Sequence, residues 1–283
     1  MSNLKSVLYY SSILKKNKEQ IRRELTVEPA ICSIGGSISV GLSNKTSDID
    51  VYVIATDTSK IDGYVHKKIM LGNTVFDFMC INISACRKAC EDYIALPHKY
   101  PTCCFRSKKE TEKIQKTRDL DRKDFPREMI ARIYASEVIV EFIDGIAQKY
   151  HNMLIGGMTV SQIWDAYYCR AYGNYKESLR DNMTPLVRKY LYTVLELMIC
   201  DYINQKRDII LDFKGLIYKY NMPDNCRDAI LKLFDTNLSA DAKKEKLYTA
   251  LNIDMNKWIE NELELIRNNF INQDDIIPLH KTI

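Results

Sequence analysis

The sequence predicts an α+β chain, with a sheet-bearing N-terminal half followed by an all-helical C-terminal half. Two observations predict this. Three short runs rich in Ile, Val, Phe and Cys, near 29–34, 49–55 and 74–82, have the length and composition of strands. Beyond Pro126 the apolar residues recur at helical spacing to the end of the readable pattern.

The elements follow in order. Leu4 to Leu25 reads as an opening amphipathic helix. Ala30-Ile-Cys-Ser-Ile34 is the core of the first strand, Ile49 to Ile54 of the second and Thr74 to Ile81 of the third. Residues 56–73 form a turn-rich link with room for a short helix or a strand pair. Ser84 opens a helix to about Ile94, and prolines and charges break the pattern over 97–125. Met129, Ile130, Ile133, Val138, Ile139, Phe142, Ile143 and Ile146 make one stripe on a predicted long helix. Thr159 and Gln162 have the spacing of a capping box, and Thr184-Pro185 pairs an N-cap with proline at the first helical position. That helix reaches about Asn204, and shorter helices are expected near 212–220, 224–236 and 254–268. The boundary between the halves falls at 118–126, which gives domains of 1–122 and 123–283.

Composition narrows the function classes. The chain has 283 residues, 46% of them hydrophobic, which is enough for one or two cores. It has no apolar run of transmembrane length and no signal-peptide pattern, so no membrane partner and a cytoplasmic setting are expected. Nine cysteines without a Cys-x-x-Cys pair, and four scattered histidines, do not predict a zinc site. Reduced thiols are the expectation. A net charge of +4 excludes a strongly basic nucleic-acid binder, but residues 99–132 are locally basic, with Lys108, Lys109, Lys113, Lys116 and Arg118 at the centre.

The chemistry concentrates in residues 34–54. Gly35-Gly36-Ser37 follows the first strand, and Asp48-Ile49-Asp50 opens the second. Glycines admit a phosphate close to the backbone, and turn N–H groups form an anion nest. Side chains alternate along a strand, so Asp48 and Asp50 share one face while Ile49, Val51 and Val53 enter a core. Two adjacent carboxylates repel unless a cation lies between them, and hard oxygen ligands of this kind suit Mg²⁺. Asp77 interrupts the apolar run of the third strand. It is a candidate third metal ligand, or a base for an attacking hydroxyl.

Gly-Ser, ten residues, then Asp-x-Asp resembles the signature of the polymerase-β-like nucleotidyltransferase superfamily, down to Gly41 in the spacer and Ser47 before the first aspartate. The helical half is similar to the predicted nucleotidyltransferases of RNA-ligase-associated repair operons. The likeness rests on Trp164 to Lys176, Val187-Arg-Lys-Tyr-Leu-Tyr192 and Asp212-Phe-Lys-Gly-Leu-Ile217. The resemblance covers about residues 30 to 265. Val40, where that family has an aromatic residue, and Asn82 to Cys86, where it has Gly-Trp-Asp, depart from it.

The resemblance implies a mixed sheet in a catalytic domain, a helical domain closing the cleft, and transfer of a nucleoside monophosphate from an NTP with release of pyrophosphate. Asp48, Asp50 and Asp77 would be the catalytic and metal-binding residues for Mg²⁺ or Mn²⁺. Gly36, Ser37 and Ser47 would bind the nucleotide. A cation of the helical half would close over the triphosphate, with Lys189 the first candidate ahead of Arg188, Arg170 and Lys176. The acceptor expected from the family and the basic 99–132 segment is an RNA or tRNA end, in RNA repair. The alternatives are a small-molecule hydroxyl, as in aminoglycoside adenylyltransferases, and a regulatory or toxin–antitoxin module.

Overall fold

The computed structural model describes residues 3–57, 64–86, 129, 131–133, 135–136, 138–155, 160–180, 185–239 and 254–269. Lys108, Lys109, Lys113, Lys116, Arg118, the 118–126 boundary, Thr159, Thr184 and the C-terminal tail lie outside them. The described residues form an α+β fold with a five-stranded mixed sheet and a helical C-terminal region.

Three strands run where the sequence places them: β1 Pro29–Ile34, β2 Ile49–Ala55 and β4 Thr74–Asn82. Within the 56–73 link lies β3, Tyr64–Leu71. Gly72, at φ +60°, and Asn73 turn it back onto β4 as an antiparallel hairpin. A fifth strand, β5 Val140–Glu141, pairs antiparallel with β1 through Ile31 and Cys32. It replaces the middle of the single long helix expected over 129–146. Val138, Ile139, Val140 and Phe142 are β-branched or aromatic, and strand geometry lets β1 take a partner on its open edge. The sheet order is β3-β4-β2-β1-β5, with β2 and β4 parallel and their neighbours antiparallel.

The sheet has two different faces. Val51, Val53, Phe76, Phe78 and Cys80 pack beneath α1 (Asn3–Lys16) and α2 (Lys18–Leu25), against Leu14, Ile21 and Leu25. The opening helix is therefore two helices that break at Asn17. The opposite face carries Tyr52, Ile54 and Ile81 and joins the core of the helical region. That region comprises α4 Ile146–Ile155, α5 Val160–Asn174, α6 Val187–Lys206, α7 Phe213–Lys219, α8 Asp224–Ser239 and α9 Met255–Asn268; the short α3, Gly36–Ser39, belongs to the sheet half. A π-helical turn, Tyr175–Leu179, continues α5. The α6 helix begins at Val187, with Leu186 extended at its cap, so Pro185 stands outside the helix and not at its first position.

Buried Trp164 stacks on Tyr168 at 4.7 Å, and Phe213 on Phe234 at 5.2 Å. Two backbone anchors join the halves: Phe213 N–H donates to Val40 O (3.3 Å), and Asn237 Nδ2 donates to Leu42 O (2.9 Å). Both grip the segment on either side of Gly41, whose φ of +76° requires a residue free of a Cβ penalty. Cys32, Cys80, Cys86, Cys200 and Cys226 are buried thiols outside any disulfide, whereas Cys169 is disulfide-bonded, which departs from the expectation of reduced thiols. No helix of the described residues is long and apolar enough to cross a membrane.

Candidate active site

The glycine turn and the second strand fit each other through atoms that glycine lacks. A Cβ on Gly35 would meet the ring of Tyr52, with Cδ2 and Cζ at 2.7 Å. A Cβ on Gly36 would fall on the Asp50 carboxylate, with Cγ at 2.6 Å, and Gly36 holds φ +58° besides. Gly35 N–H also donates to Asp50 O (2.8 Å). The carboxylate thus lies directly against the backbone of the turn. Ser37 follows, buried, in the short helix α3.

The strand register brings the second carboxylate alongside. Asp50 pairs with Asp77 across the parallel β2–β4 ladder, and Tyr52 pairs with Met79. Paired residues on neighbouring strands point to the same face, about 4.8 Å apart at the backbone. Both aspartates therefore look toward the helical region, on the face that Tyr52, Ile54 and Ile81 bury against it. Two ionised carboxylates about 5 Å apart repel by on the order of 3 kcal/mol at an effective dielectric near 20. Two side chains of β3 stand beside Asp77. His66 Nε2 hydrogen-bonds Asp77 Oδ1, and Lys68 Nζ stands 4.0 Å from Oδ2. Asp77 itself is 9% exposed, so it does not turn out to solvent.

Asp48 lies half-buried one turn of the pleat before Asp50, after a tight loop. Asn44 N–H donates to Ser47 Oγ (2.8 Å), and Thr46 N–H to Asn44 Oδ1 (3.1 Å). Arg188 of α6 donates to the same Ser47 hydroxyl at 2.6 Å. Lys189, the first candidate to close over a triphosphate, donates to Asn174 Oδ1 at 2.7 Å. Arg188 thus ties α6 to the loop that carries Asp48.

Residues not singled out from sequence also lie close to the glycine turn and Asp50. Arg132 is buried, and its Nη1 donates to Gly36 O at 3.3 Å. Burial works against its charge, but Tyr52, Tyr167, Tyr192 and Glu196 around it more than offset that, so its pKa lies above the usual arginine value. Tyr192 stands among Arg132, Arg188, Arg170 and Asp50. Burial, with Asp50 adding to it, raises its phenol above the ordinary tyrosine value against the pull of the three arginines. It is a neutral donor at physiological pH. A signal for His66 and Lys68 was present in the sequence: Gly72-Asn73 between two strand-like runs is a hairpin pattern, and it sets Lys68 opposite Asp77.

The residue types suit a hard cation: the Asp50 carboxylate lies against the N–H-bearing turn, and Asp48 stands two residues before it. Among the described residues no group of three His, Cys, Asp or Glu side chains is gathered to hold a metal ion. An ion here would thus take its remaining ligands from phosphate and water, as Mg²⁺ usually does.

No family model matches the sequence, and no curated protein matches it. Among solved structures the chain is similar to a nucleotidyltransferase-like protein from Exiguobacterium sibiricum, with a TM-score of 0.29 and 8% identity over 92% of this chain and 74% of that one. At that score the likeness says nothing about chemistry.

Proposed function

We propose that the protein transfers a nucleoside monophosphate from an NTP to an acceptor hydroxyl. The observation that carries this reading is the in-register pair Asp50 and Asp77, with the Asp50 carboxylate seated on the Gly36 backbone. Phosphoryl-type transfer needs positioning and charge neutralisation more than covalent catalysis. The turn at Gly35, Gly36 and Ser37 receives the outer phosphates, and the Arg188 and Arg132 side chains neutralise them from the helical side. Asp48 and Asp50 would hold Mg²⁺, which would supply further neutralisation of the triphosphate. Asp77, buttressed by His66 and Lys68, accepts the proton of the attacking hydroxyl. The hydroxyl oxygen forms a bond to the α-phosphorus, the bond from that phosphorus to the bridging oxygen of the β-phosphate breaks, and pyrophosphate leaves.

For the acceptor, an RNA or tRNA end is the favoured class, in keeping with the resemblance to repair-associated transferases. Arg188 bonds Ser47 and Arg132 bonds the Gly36 carbonyl, and two cations at the glycine turn and the Asp48 loop suit a polyanion better than a polycationic aminoglycoside. The test is incubation with each labelled NTP, Mg²⁺ and either total RNA or a panel of aminoglycosides. Label in RNA, with RNA binding that weakens steeply with salt, supports this acceptor. Label in a small hydroxyl compound assigns the acceptor to that class, and no transfer to either overturns the reading.

A further inference from the structure

The second half of α6 and the end of α7 leave a cavity of about 190 Å³ between them. Sites for drug-sized molecules run to about 300–1,000 Å³, so this one admits a single flat ring system and leaves anything larger outside. Met198 and Leu216, both buried, give it an apolar wall, and Tyr202 and Tyr220 add aromatic surface. Tyr220 gives its hydroxyl to Glu262 of α9, which does not line the cavity, so what Tyr220 offers there is its ring. Asp201 takes Gln205 Nε2 on Oδ2 at 2.7 Å, and its Oδ1 has no hydrogen-bond partner among the described residues. Burial raises the Asp201 pKa against the Gln205 hydrogen bond. A carboxylate and a carboxylic acid both keep an oxygen that accepts, so the role of Asp201 does not depend on its charge. Lys206 and Lys219 are exposed at the rim, and neither forms an ion pair with a described residue. Lys219 Nζ instead stands 6.0 Å from the centre of the Tyr202 ring, a cation–π distance.

These parts match the parts of a nucleotide. Apolar and aromatic walls suit the faces of a base, which stacks on tyrosine whatever its identity. An open accepting oxygen suits an exocyclic amine on the base edge, as a carboxylate takes cytosine N4. Ammonium groups at the mouth suit the phosphate, and they oppose entry of a cationic ligand. We infer that the cavity between α6 and α7 is a nucleotide site separate from the glycine turn, with one base inside and its phosphate against Lys206 and Lys219. The ligand is a base carried with its phosphate, in an RNA strand or in a free nucleotide. Arg188 and Asp201 share α6, and by the helical rise the cavity lies roughly 20 Å along the helix from the contact with Ser47. A strand ending at the glycine turn needs only a few nucleotides to span that distance. The inference rests on the chemistry of the cavity and goes beyond the transfer reading.

Calorimetric titration of the full chain with each of the four nucleoside monophosphates and with single-stranded RNA octamers tests this. The proteins are the wild type, Tyr202→Ala and the double variant Lys206→Ala with Lys219→Ala. Tyr202→Ala should raise Kd roughly tenfold, the scale of one stacked base. The lysine variant should raise Kd several-fold at low salt and lower the salt slope of octamer binding by about 1.4, at about 0.7 for each lost phosphate contact. Both lysines are exposed, so their variant decides the matter should Tyr202→Ala fail to fold. Weaker binding of the octamer, with or without a matching change for the monophosphates, assigns the cavity to an RNA strand. Weaker binding of the monophosphates alone assigns it to a free nucleotide. Wild-type affinity for both kinds of ligand in either folded variant, or no binding of any of them by the wild type, overturns the inference. Nucleotidyl transfer is scored separately: its absence removes the transfer reading and leaves the cavity to be judged by these shifts.

Discussion

Replacing Gly36 by alanine separates backbone strain from the fit of the site, because a second glycine supplies the control. Gly36 and Gly72 hold nearly the same left-handed backbone, at φ +58° and +60°. A Cβ at Gly72 meets nothing within 4 Å, whereas a Cβ at Gly36 falls on the Asp50 carboxylate, 2.6 Å from Cγ. Gly72→Ala should thus cost only the conformational penalty, about 1–2 kcal/mol. Gly36→Ala adds overpacking of about 1–3 kcal/mol. Ordinary carbon contacts begin at about 3.5 Å, so Asp50 must retreat by roughly 1 Å, a displacement that can cost on the order of 10²-fold in rate. The assay pairs urea denaturation of both variants with transfer from labelled NTP. Gly36→Ala should be the less stable and lose about 10²-fold in transfer, with Gly72→Ala near wild type in rate. Equal midpoints and equal rates in the two variants would refute the claim that the glycine turn and Asp50 form one fitted unit.

Other perturbations probe other levels of the argument. Asp48→Asn and Asp50→Asn should each lower transfer by about 10²-fold or more while leaving the circular dichroism spectrum unchanged, since each removes a charge that neutralises the site cation; near wild-type turnover in Asp50→Asn would sink the assignment. Trp164→Ala removes a fully buried ring stacked on Tyr168 and should destabilise by about 3–5 kcal/mol in chemical denaturation. The pH dependence of stability should carry the signature of Glu262. Burial, aided by Asp201, raises its pKa above the ordinary carboxyl value against the hydrogen bond from Tyr220. A native pKa above the unfolded one means that the native state holds the proton more tightly. The associated stability is complete below the unfolded value, about 4.3, and is lost as pH rises through the native value. Glu262→Gln should therefore flatten the decline of unfolding free energy from pH 4 to pH 7, and superimposable slopes would show that this carboxyl does not contribute.

The three strands at 29–34, 49–55 and 74–82 were legible because β-branched runs bounded by turn residues have few other structures to adopt. Alternation also showed which way Asp50 points. It could not show that Asp50 stands opposite Asp77, because period gives a face and not a partner. The β3 strand was missed as a definite element since His66, Lys67 and Lys68 dilute its apolar pattern, as befits the edge of a sheet. At 138–142 an apolar run fits helix and strand alike, and only the open edge of β1 decides between them. On α6 the sequence placed Arg188 and Lys189 on a helix near the site, but which one reaches Ser47 depends on how α6 packs on α5. Arg132, Tyr192 and Glu196 enter through contacts between segments far apart in the chain, for which one sequence has no local signal.

The pairing of β1 with β5 has a consequence for how the protein comes into being. During synthesis β1, β2, β3 and β4 leave the ribosome early, yet β1 keeps a row of unpaired backbone groups until Val140 and Glu141 emerge. Until then that strand is a template for any other extended chain nearby. Arg22, which donates to the carbonyl of Phe142 and lies 5.8 Å over its ring, then latches the late strand onto α2. The nascent chain thus passes through an interval of exposure that the finished molecule no longer shows. Substitutions at Arg22 or Val140 should lower the yield of soluble protein more than they lower the stability of what does fold.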